Sequence, residues 1–254
     1  MRGRERIGHN RAFWADVHDQ FTGDDAARRW AETEVSWGLF RHPESAIGAL
    51  GPVAGRRVLE IGCGTAYLGA WLARAGATVV AVDLSREQLS SAAECQADVG
   101  PRFPLVEANG EELPFADGSF DLVVSEYGVA PWCDPSRWVP EAARVLVRGG
   151  RLVFLTNSPL AAMTVPEAGG PAGDRLLRGT SDLVPVTWPG GGHEWHPGHG
   201  EWTRTLVAAG FRVDGLWELT PPADADDPDF YEIVTADWSR RWPAEDLWSA
   251  QLCD

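Results

Sequence analysis

The feature that most constrains the fold is one continuous segment, residues 56–94, which reads RRVLEIGCGTAYLGAWLARAGATVVAVDLSREQLSSAAE. Its first apolar run is too short for a helix and ends in a glycine-rich turn, which predicts a buried parallel strand. Apolar residues then recur at helical spacing up to Gly76, a second apolar run follows, and Ser85 is placed to cap the next helix. The order strand, helix, strand, helix predicts a doubly wound α/β sheet that binds its ligand at the carboxyl ends of the strands.

Charge and composition limit which ligands and partners a protein with such a sheet can bind. The formal net charge is -15 and the pI is near 4.8, which disfavours nucleic acid and anionic membranes as partners. No apolar signal region and no run of about 18 apolar residues occurs, so a cytoplasmic location is expected. All 22 basic residues are arginine, which excludes lysine Schiff bases and a P-loop lysine. The four cysteines form no C-x-x-C pair, a pattern typical of neither a disulfide scaffold nor a zinc ribbon.

The glycine-rich turn is the candidate ligand site of this unit. A dinucleotide fingerprint requires G-x-G-x-x-G, and here Gly62 and Gly64 fill the first two places while Tyr67 occupies the third. This pattern argues against NAD. A nicotinamide-dependent oxidoreductase therefore stays only as a less favoured alternative.

Three further segments extend the pattern and carry a resemblance to a known family. VLEIGCGTAYLG at residues 58–69 resembles the first motif of the class I S-adenosylmethionine-dependent methyltransferases. Residues 107–125 resemble the adenine-side turn and fourth strand of that family, and residues 139–156 its next helix and fifth strand. The resemblance covers about residues 50–157. It implies a Rossmann-like, seven-stranded, mostly parallel sheet, S-adenosylmethionine as cofactor and S-adenosylhomocysteine as product.

The resemblance also implies which residues face the cofactor. Asp83 ends the second strand, where a carboxylate accepts hydrogen bonds from the ribose hydroxyls. Asn109 stands where the family often has an aspartate beside the adenine. The full set of implied cofactor residues is Glu60, Gly62, Cys63, Gly64, Asp83, Leu84, Asn109, Gly110, Glu111 and Ser125. Glu126 and Tyr127 follow at the mouth of the site as catalytic candidates, with a plain surface turn as the alternative.

Three histidines at intervals of three, in HEWHPGH at residues 193–199, are the second candidate feature. They follow a Pro- and Gly-rich stretch, and residues 158–198 are predicted as an insertion over the active site. A metal cage is disfavoured because Pro197 and Gly198 break the segment, and no metal is expected. A general base needs one neutral imidazole oriented by a neighbouring acid, with His199 ahead of His196. His193 is a substrate-side candidate, and solvated loop histidines without a catalytic role are the remaining alternative.

Residues 1–50 precede the first strand and are helical in spacing and rich in aromatic residues. We expect them to form a helical lid, with residues 51–254 forming the methyltransferase domain. The candidates for contact with substrate from this lid are Trp14, His18, Trp37 and Arg41. The alternative is that these aromatic side chains only pack the lid onto the core.

The sequence therefore predicts a methyltransferase that uses S-adenosylmethionine to methylate a small molecule, at oxygen, with nitrogen and carbon acceptors left open. A non-catalytic module that binds S-adenosylmethionine or a nucleoside is the alternative from another class. The composition is typical of a high-GC bacterial genome. The acceptor and the oligomeric state are not predicted.

Overall fold

A computed structural model describes residues 3–17, 23–188, 192–228 and 233–253 of the 254-residue chain. The strands in chain order are β1 (Ser36–Trp37), β2 (His42–Pro43), β3 (Arg57–Ile61), β4 (Thr78–Asp83), β5 (Leu105–Glu107), β6 (Phe120–Glu126), β7 (Leu146–Asn157), β8 (Val186–Thr187), β9 (His193–Glu194), β10 (Phe211–Leu219) and β11 (Glu245–Leu252). The helices are α1 (Gly3–Val17), α2 (Asp24–Ala31), α3 (Glu44–Ile47), α4 (Tyr67–Arg74), α5 (Arg86–Val99), α6 (Val129–Trp132), α7 (Pro135–Val145), α8 (Pro159–Thr164), α9 (His199–Ala208) and α10 (Ala236–Arg241).

The central sheet of the described chain has seven strands in the order β10-β11-β7-β6-β3-β4-β5. Strands β3 to β7 run parallel, while β11 is antiparallel to both β7 and β10. In β3, Val58, Leu59 and Ile61 are fully buried, as a parallel strand covered on both faces requires. The predicted mostly parallel, doubly wound sheet is confirmed.

Helices cover both faces of the sheet, and tryptophans fill both layers. On one face, Trp30 of α2 and Trp71 of α4 are buried in the larger core cluster. On the other, Trp138 of α7 and Trp202 of α9 pack edge to face, with ring centroids 6.0 Å apart. Large aromatic side chains bury much apolar area each, so most of the tryptophan surplus serves the core.

The helix that follows β4 begins where the sequence indicates. The Ser85 hydroxyl accepts a hydrogen bond from the Gln88 amide at 3.2 Å, which confirms the predicted N-cap of α5. Capping matters here because the first amides of a helix lack intrahelical acceptors. The cap fixes the turn that immediately follows Asp83.

Residues before β3 pack onto this core. Helix α2 lies against α4 and α5, while α1 contacts β9. Trp37 is fully buried and its indole NH donates to Glu44 at 2.7 Å. Trp37 therefore packs its segment onto the core, as the second interpretation of the lid aromatics expects. His18, another lid candidate, lies outside the described residues.

The segment 158–198 has more regular structure than its Pro- and Gly-rich composition indicates. It contains α8, whose first residue Pro159 is preceded by the capping Ser158, a 3₁₀ turn at Thr180–Leu183 and the β8–β9 hairpin. His193 lies in β9 and His199 begins α9. Elements of two to six residues are too short to show periodicity, so the composition does not indicate them. No described helix has the length and apolar character needed to cross a membrane.

Candidate cofactor cleft and acceptor cavity

The glycine-rich turn joins β3 to α4 at the carboxyl edge of the sheet. Gly62 has φ +68°, and a Cβ atom there would lie 2.6 Å from the backbone of Gly128. Gly64 also has positive φ, but a Cβ atom at Gly64 would meet only Gln88, at 3.7 Å. Gly62 therefore allows two backbone segments to touch, whereas Gly64 leaves open space into which a ligand can approach the backbone.

Asp83 ends the neighbouring strand β4 and faces this turn. One carboxylate oxygen accepts from the Gly64 amide and the other from the Ser85 amide, each at 2.8 Å. Burial raises the pKa of Asp83, and these amides oppose that rise. A carboxylate oxygen can accept more than one hydrogen bond, so Asp83 still has acceptor capacity for two ribose hydroxyls. Leu84 follows it, half-buried at the same edge.

Glu60 and Cys63 are buried around the turn. Glu60 is 3% exposed, and its carboxylate accepts from the Gly69 amide at 2.9 Å. Burial raises the pKa of Glu60 and that of the Cys63 thiol well above their ordinary values. Glu60 therefore anchors α4, and the Cys63 thiol is poorly suited to act as a thiolate.

The predicted adenine-side residues form a tight turn after β5. Asn109 accepts a hydrogen bond from the Glu111 amide at 3.1 Å, and Gly110 is buried. Glu111 is 5% exposed and forms an ion pair with Arg6 of α1. It also lies 3.1 Å from the guanidinium of Arg137. The Glu111 carboxylate is therefore used to join α1 to the sheet domain, which its position in the motif did not indicate.

Ser125 lies at the end of β6 and is 1% exposed. Its hydroxyl donates to the Ile61 carbonyl at 2.8 Å and accepts from the Val129 amide at 3.1 Å. These two hydrogen bonds tie β3 to the start of α6. In this arrangement Ser125 stabilises the glycine-rich turn through the Ile61 carbonyl that precedes it.

Glu126 and Tyr127 belong to a buried polar cluster at the same edge. Glu126 accepts from the Tyr67 hydroxyl at 2.7 Å and from the Gly38 amide at 2.9 Å. Tyr127 has φ +53° and donates to Glu245. Burial raises the pKa of Glu245 to about 7. Sequence reasoning missed Glu245, because it lies more than 100 residues after the motif that it contacts.

Arg29 of α2 completes this cluster. Its guanidinium lies 4.0 Å from the Glu126 carboxylate and 4.3 Å from the ring centroid of Tyr67. Tyr67, at the place of the third glycine of a dinucleotide motif, thus contacts an arginine and a carboxylate. The sequence shows that Tyr67 replaces the third glycine, but it does not show that Tyr67 contacts Arg29 and Glu126.

The three histidines of the 193–199 segment have different partners. His193 lies 2.8 Å from Thr187 Oγ1, and its ring centroid is 4.8 Å from that of His9. His199 Nε2 lies 2.8 Å from a carboxylate oxygen of Asp246. His196 is 2% exposed, and its Nε2 lies 2.7 Å from Glu194 Oε2. The histidines therefore do not form a site with one another.

His196 faces a cavity of about 470 Å³. Asn157, at the end of β7, and Glu194 also line it. Strand β7 pairs with β6 in parallel, with Glu126 opposite Leu155, so Asn157 lies at the same edge as the cofactor cleft. The apolar lining comes mainly from Phe13, Ala162, Val165, Pro166, Trp188 and Ile233.

Two polar atoms of this lining are buried without a hydrogen-bond partner in the described part of the chain, namely His196 Nδ1 and Asn157 Oδ1. Buried polar atoms are nearly always satisfied, so these two unpartnered atoms mark the polar part of the lining. His199 does not line the cavity. The structure thus favours His196 over His199 as the candidate base, opposite to the order predicted from sequence.

Among the lid candidates that the structure describes, Trp14 lies beside the cavity-lining Phe13. Phe13 stacks on Trp132 with ring centroids 5.4 Å apart, and Trp14 contacts the same indole at 5.0 Å. Arg41 is instead paired with Glu32 at 2.5 Å, and its side chain is half exposed. Helix α1 therefore brings an aromatic face to the cavity, mainly through Phe13, which was not among the candidates.

Comparisons with known proteins identify the family. Residues 59–154 match the family model described as a methyltransferase domain. Demethylmenaquinone methyltransferase of Clavibacter sepedonicus is 40% identical over 106 residues, which is 42% of this chain and 43% of that protein. Ubiquinone biosynthesis O-methyltransferase of Caulobacter sp. (strain K31) is 33% identical over 148 residues, 57% of this chain and 54% of the other. The chain matches about half the length of these curated relatives.

Solved structures give the same fold. An S-adenosylmethionine-dependent methyltransferase from Mesorhizobium loti aligns with TM-score 0.63 and 25% identity, over 82% of this chain and 95% of that one. The 1,6-didemethyltoxoflavin-N1-methyltransferase of Burkholderia thailandensis aligns with TM-score 0.61 and 16% identity, over 100% and 92%. Residues 59–154 therefore belong to the class I S-adenosylmethionine-dependent methyltransferases. The predictions of family, fold and cofactor are confirmed.

Proposed function

We propose that this protein transfers the methyl group of S-adenosylmethionine to a hydroxyl of a small molecule bound in the cavity between α1 and α8. The observation that carries the proposal is the buried pair of His196 and Glu194, which lines that cavity beside the cofactor edge. The toxoflavin enzyme also has a small-molecule acceptor bound with S-adenosylhomocysteine. The net charge of -15 favours such an acceptor over nucleic acid, in a cytoplasmic enzyme.

The cofactor residues fit this role. Asp83 retains acceptor capacity for a ribose, and the space above Gly64 lets a ligand approach the backbone closely. When bound, S-adenosylmethionine supplies a methyl group already activated by its sulfonium. The chain therefore has to align the acceptor, exclude water and remove one proton.

His196 is oriented to remove that proton. The Glu194 carboxylate can only accept, and it also receives the Trp188 indole NH at 2.8 Å. The imidazole proton therefore lies on Nε2, and Nδ1 presents its lone pair. We infer that Nδ1 takes the hydroxyl proton of the acceptor. S-adenosylmethionine, when bound, would supply the methyl group to that oxygen, its methyl–sulfur bond breaking to leave S-adenosylhomocysteine. The resulting imidazolium is stabilised by Glu194, and Asn157 Oδ1 can accept a hydrogen bond from another donor of the acceptor.

The cofactor is tested first. Calorimetric titration of the purified protein with S-adenosylhomocysteine and, separately, with NAD is expected to show binding of the first alone. Asp83→Ala is expected to abolish this binding, whereas Asp121→Ala, which removes a surface carboxylate paired with Arg57, should leave it intact. Absence of S-adenosylhomocysteine binding by the wild type contradicts the proposal at its first step.

The base is tested next, on an acceptor found by screening with methyl-labelled cofactor. His196→Gln should lower kcat by about 10²- to 10⁴-fold without changing the affinity for S-adenosylhomocysteine. His42→Gln is the control, because this half-buried histidine lies in β2 and does not line the cavity, and it should retain kcat within about threefold. Equal losses in both variants contradict the role of His196. Cofactor binding without turnover on any acceptor would support a non-catalytic module instead.

A further inference from the structure

A second cluster of polar side chains lies outside the cavity, where α9 meets the antiparallel edge of the sheet. Glu218 of β10 and Asp246 of β11 are directly opposite in the strand register. His199, the first residue of α9, reaches the same place. One potential ligand atom from each of the three residues lies within 4.8 Å of the other two.

Asp246 is the central member of this cluster. Its side chain is 0% exposed, and one carboxylate oxygen lies 2.8 Å from His199 Nε2. Its other oxygen, Oδ1, is buried without a hydrogen-bond partner in the described part of the chain. A buried carboxylate oxygen that has lost water is costly unless a cation or donor satisfies it. The His199 ring accounts for only one of the two oxygens.

The two other members face solvent and leave a route of entry. The His199 side chain is 38% exposed, and Glu218 is exposed. Ligand atoms around a small divalent ion lie about 3 to 3.5 Å apart. The exposed Glu218 side chain has the rotamer freedom to close the remaining gap, and water can fill the open positions.

From this geometry we propose that His199, Glu218 and Asp246 bind a divalent transition ion of the zinc class. An imidazole with two carboxylates suits Zn²⁺, whereas Mg²⁺ prefers oxygen ligands and water. On binding, the ion would take the place between His199 Nε2 and Asp246, and the neutral imidazole would carry its proton on Nδ1. The bound ion would clamp the start of α9 to the β10–β11 pair. This proposal does not rest on the proposed methyl transfer.

The test titrates untagged full-length protein with Zn²⁺ and with Mg²⁺ by calorimetry in a non-chelating buffer. We expect one Zn²⁺ per chain with a Kd of about 1 µM or tighter, no binding of Mg²⁺, and a rise in Tm of about 5 °C at a hundredfold excess over Kd. Asp246→Asn and His199→Gln should each weaken Zn²⁺ binding by at least about 30-fold. Because His199 is partly exposed, its variant keeps the test valid if Asp246→Asn fails to fold.

Two matched controls separate this site from others. His193→Gln removes one ring of the His9–His193 contact, which is another place where two imidazoles are close. Glu201→Gln removes an exposed carboxylate from the first turn of the same helix. Both controls should bind Zn²⁺ like the wild type. The proposal is overturned by absence of Zn²⁺ binding, by unchanged affinity in His199→Gln, or by loss of binding in His193→Gln.

Discussion

The cofactor cleft is built from consecutive residues and held by backbone geometry, whereas the acceptor cavity collects side chains from segments far apart in the sequence. In the cleft, the turn at Gly62 and Gly64 is fixed by contacts of main-chain atoms with Gly128 and Asp83. In the cavity, Phe13, Asn157 and His196 come together from α1, β7 and the segment after β9. We expect substitutions in the cleft to lower stability or cofactor affinity through the backbone, and those in the cavity to change function alone.

The largest effect should follow from adding one methyl group at the turn. In Gly62→Ala the new Cβ would lie 2.6 Å from the Gly128 backbone, at a φ of +68°. Strain and overpacking together should lower the free energy of unfolding by about 4 kcal/mol. Urea denaturation measures this, and S-adenosylhomocysteine affinity should fall in the same variant.

The same change at Gly198, two residues after His196, provides the contrast. Gly198 has φ -66°, and a Cβ atom there would have nothing within 4 Å. Gly198→Ala should therefore change stability by less than about 0.5 kcal/mol. If the two alanine variants lose similar stability, the cleft is not held by close backbone packing and the comparison fails.

This contrast also explains how much could be predicted from the sequence. The glycine turn, Asp83 and the Ser85 cap are local patterns, so their places could be predicted before any tertiary contact was known. The short apolar runs likewise predicted the parallel strands. These features depend on residues that are neighbours in the sequence, so they can be predicted without tertiary contacts.

The cavity could not be predicted in the same way. The histidine spacing indicated a base but not which ring faces the cavity, because His199 is paired with Asp246, 47 residues later in the chain. Asn157 and Phe13 carry no local motif. Glu111, predicted beside the adenine, pairs with Arg6, which lies near the start of the chain. Partners at such sequence separations are set by tertiary packing.

A further prediction concerns Glu245, which lies where the cofactor cleft and the acceptor cavity meet. Its carboxylate accepts from the Leu39 amide at 2.9 Å and from Tyr127, and burial raises its pKa from 4.5 to about 7. The folded state therefore holds a proton that the unfolded state releases. The contribution to stability is full below about pH 4.5, decreases as the pH rises towards 7, and is lost above pH 7.

Glu245→Gln should remove this pH dependence. Relative to the variant, the wild type should lose about 3 kcal/mol of unfolding free energy between pH 4.5 and pH 7.5. Urea denaturation of both proteins across this pH range gives the difference between their free energies of unfolding. The titration of other groups largely cancels in this difference. Glu201→Gln, an exposed carboxylate, is the control and should follow the wild type. A wild-type-minus-variant difference that stays constant with pH contradicts the shifted pKa.

A smaller effect, on acceptor binding, should come from the aromatic wall of the cavity. Phe13 stacks on Trp132 and lines the cavity, but it offers no polar atom to the reaction. Phe13→Ala should therefore raise the KM for the acceptor by about fivefold, or about 1 kcal/mol, with kcat and S-adenosylhomocysteine affinity little changed. Steady-state kinetics with the acceptor identified by screening measures KM and kcat separately.

Trp14→Ala is the matched control for Phe13→Ala. It removes the neighbouring contact with Trp132 without removing a residue of the cavity wall, so it should lower stability and leave KM unchanged. A fall in kcat in Phe13→Ala at constant KM would mean that α1 positions the reacting groups, and the acceptor side would then depend on the fold as closely as the cofactor side does.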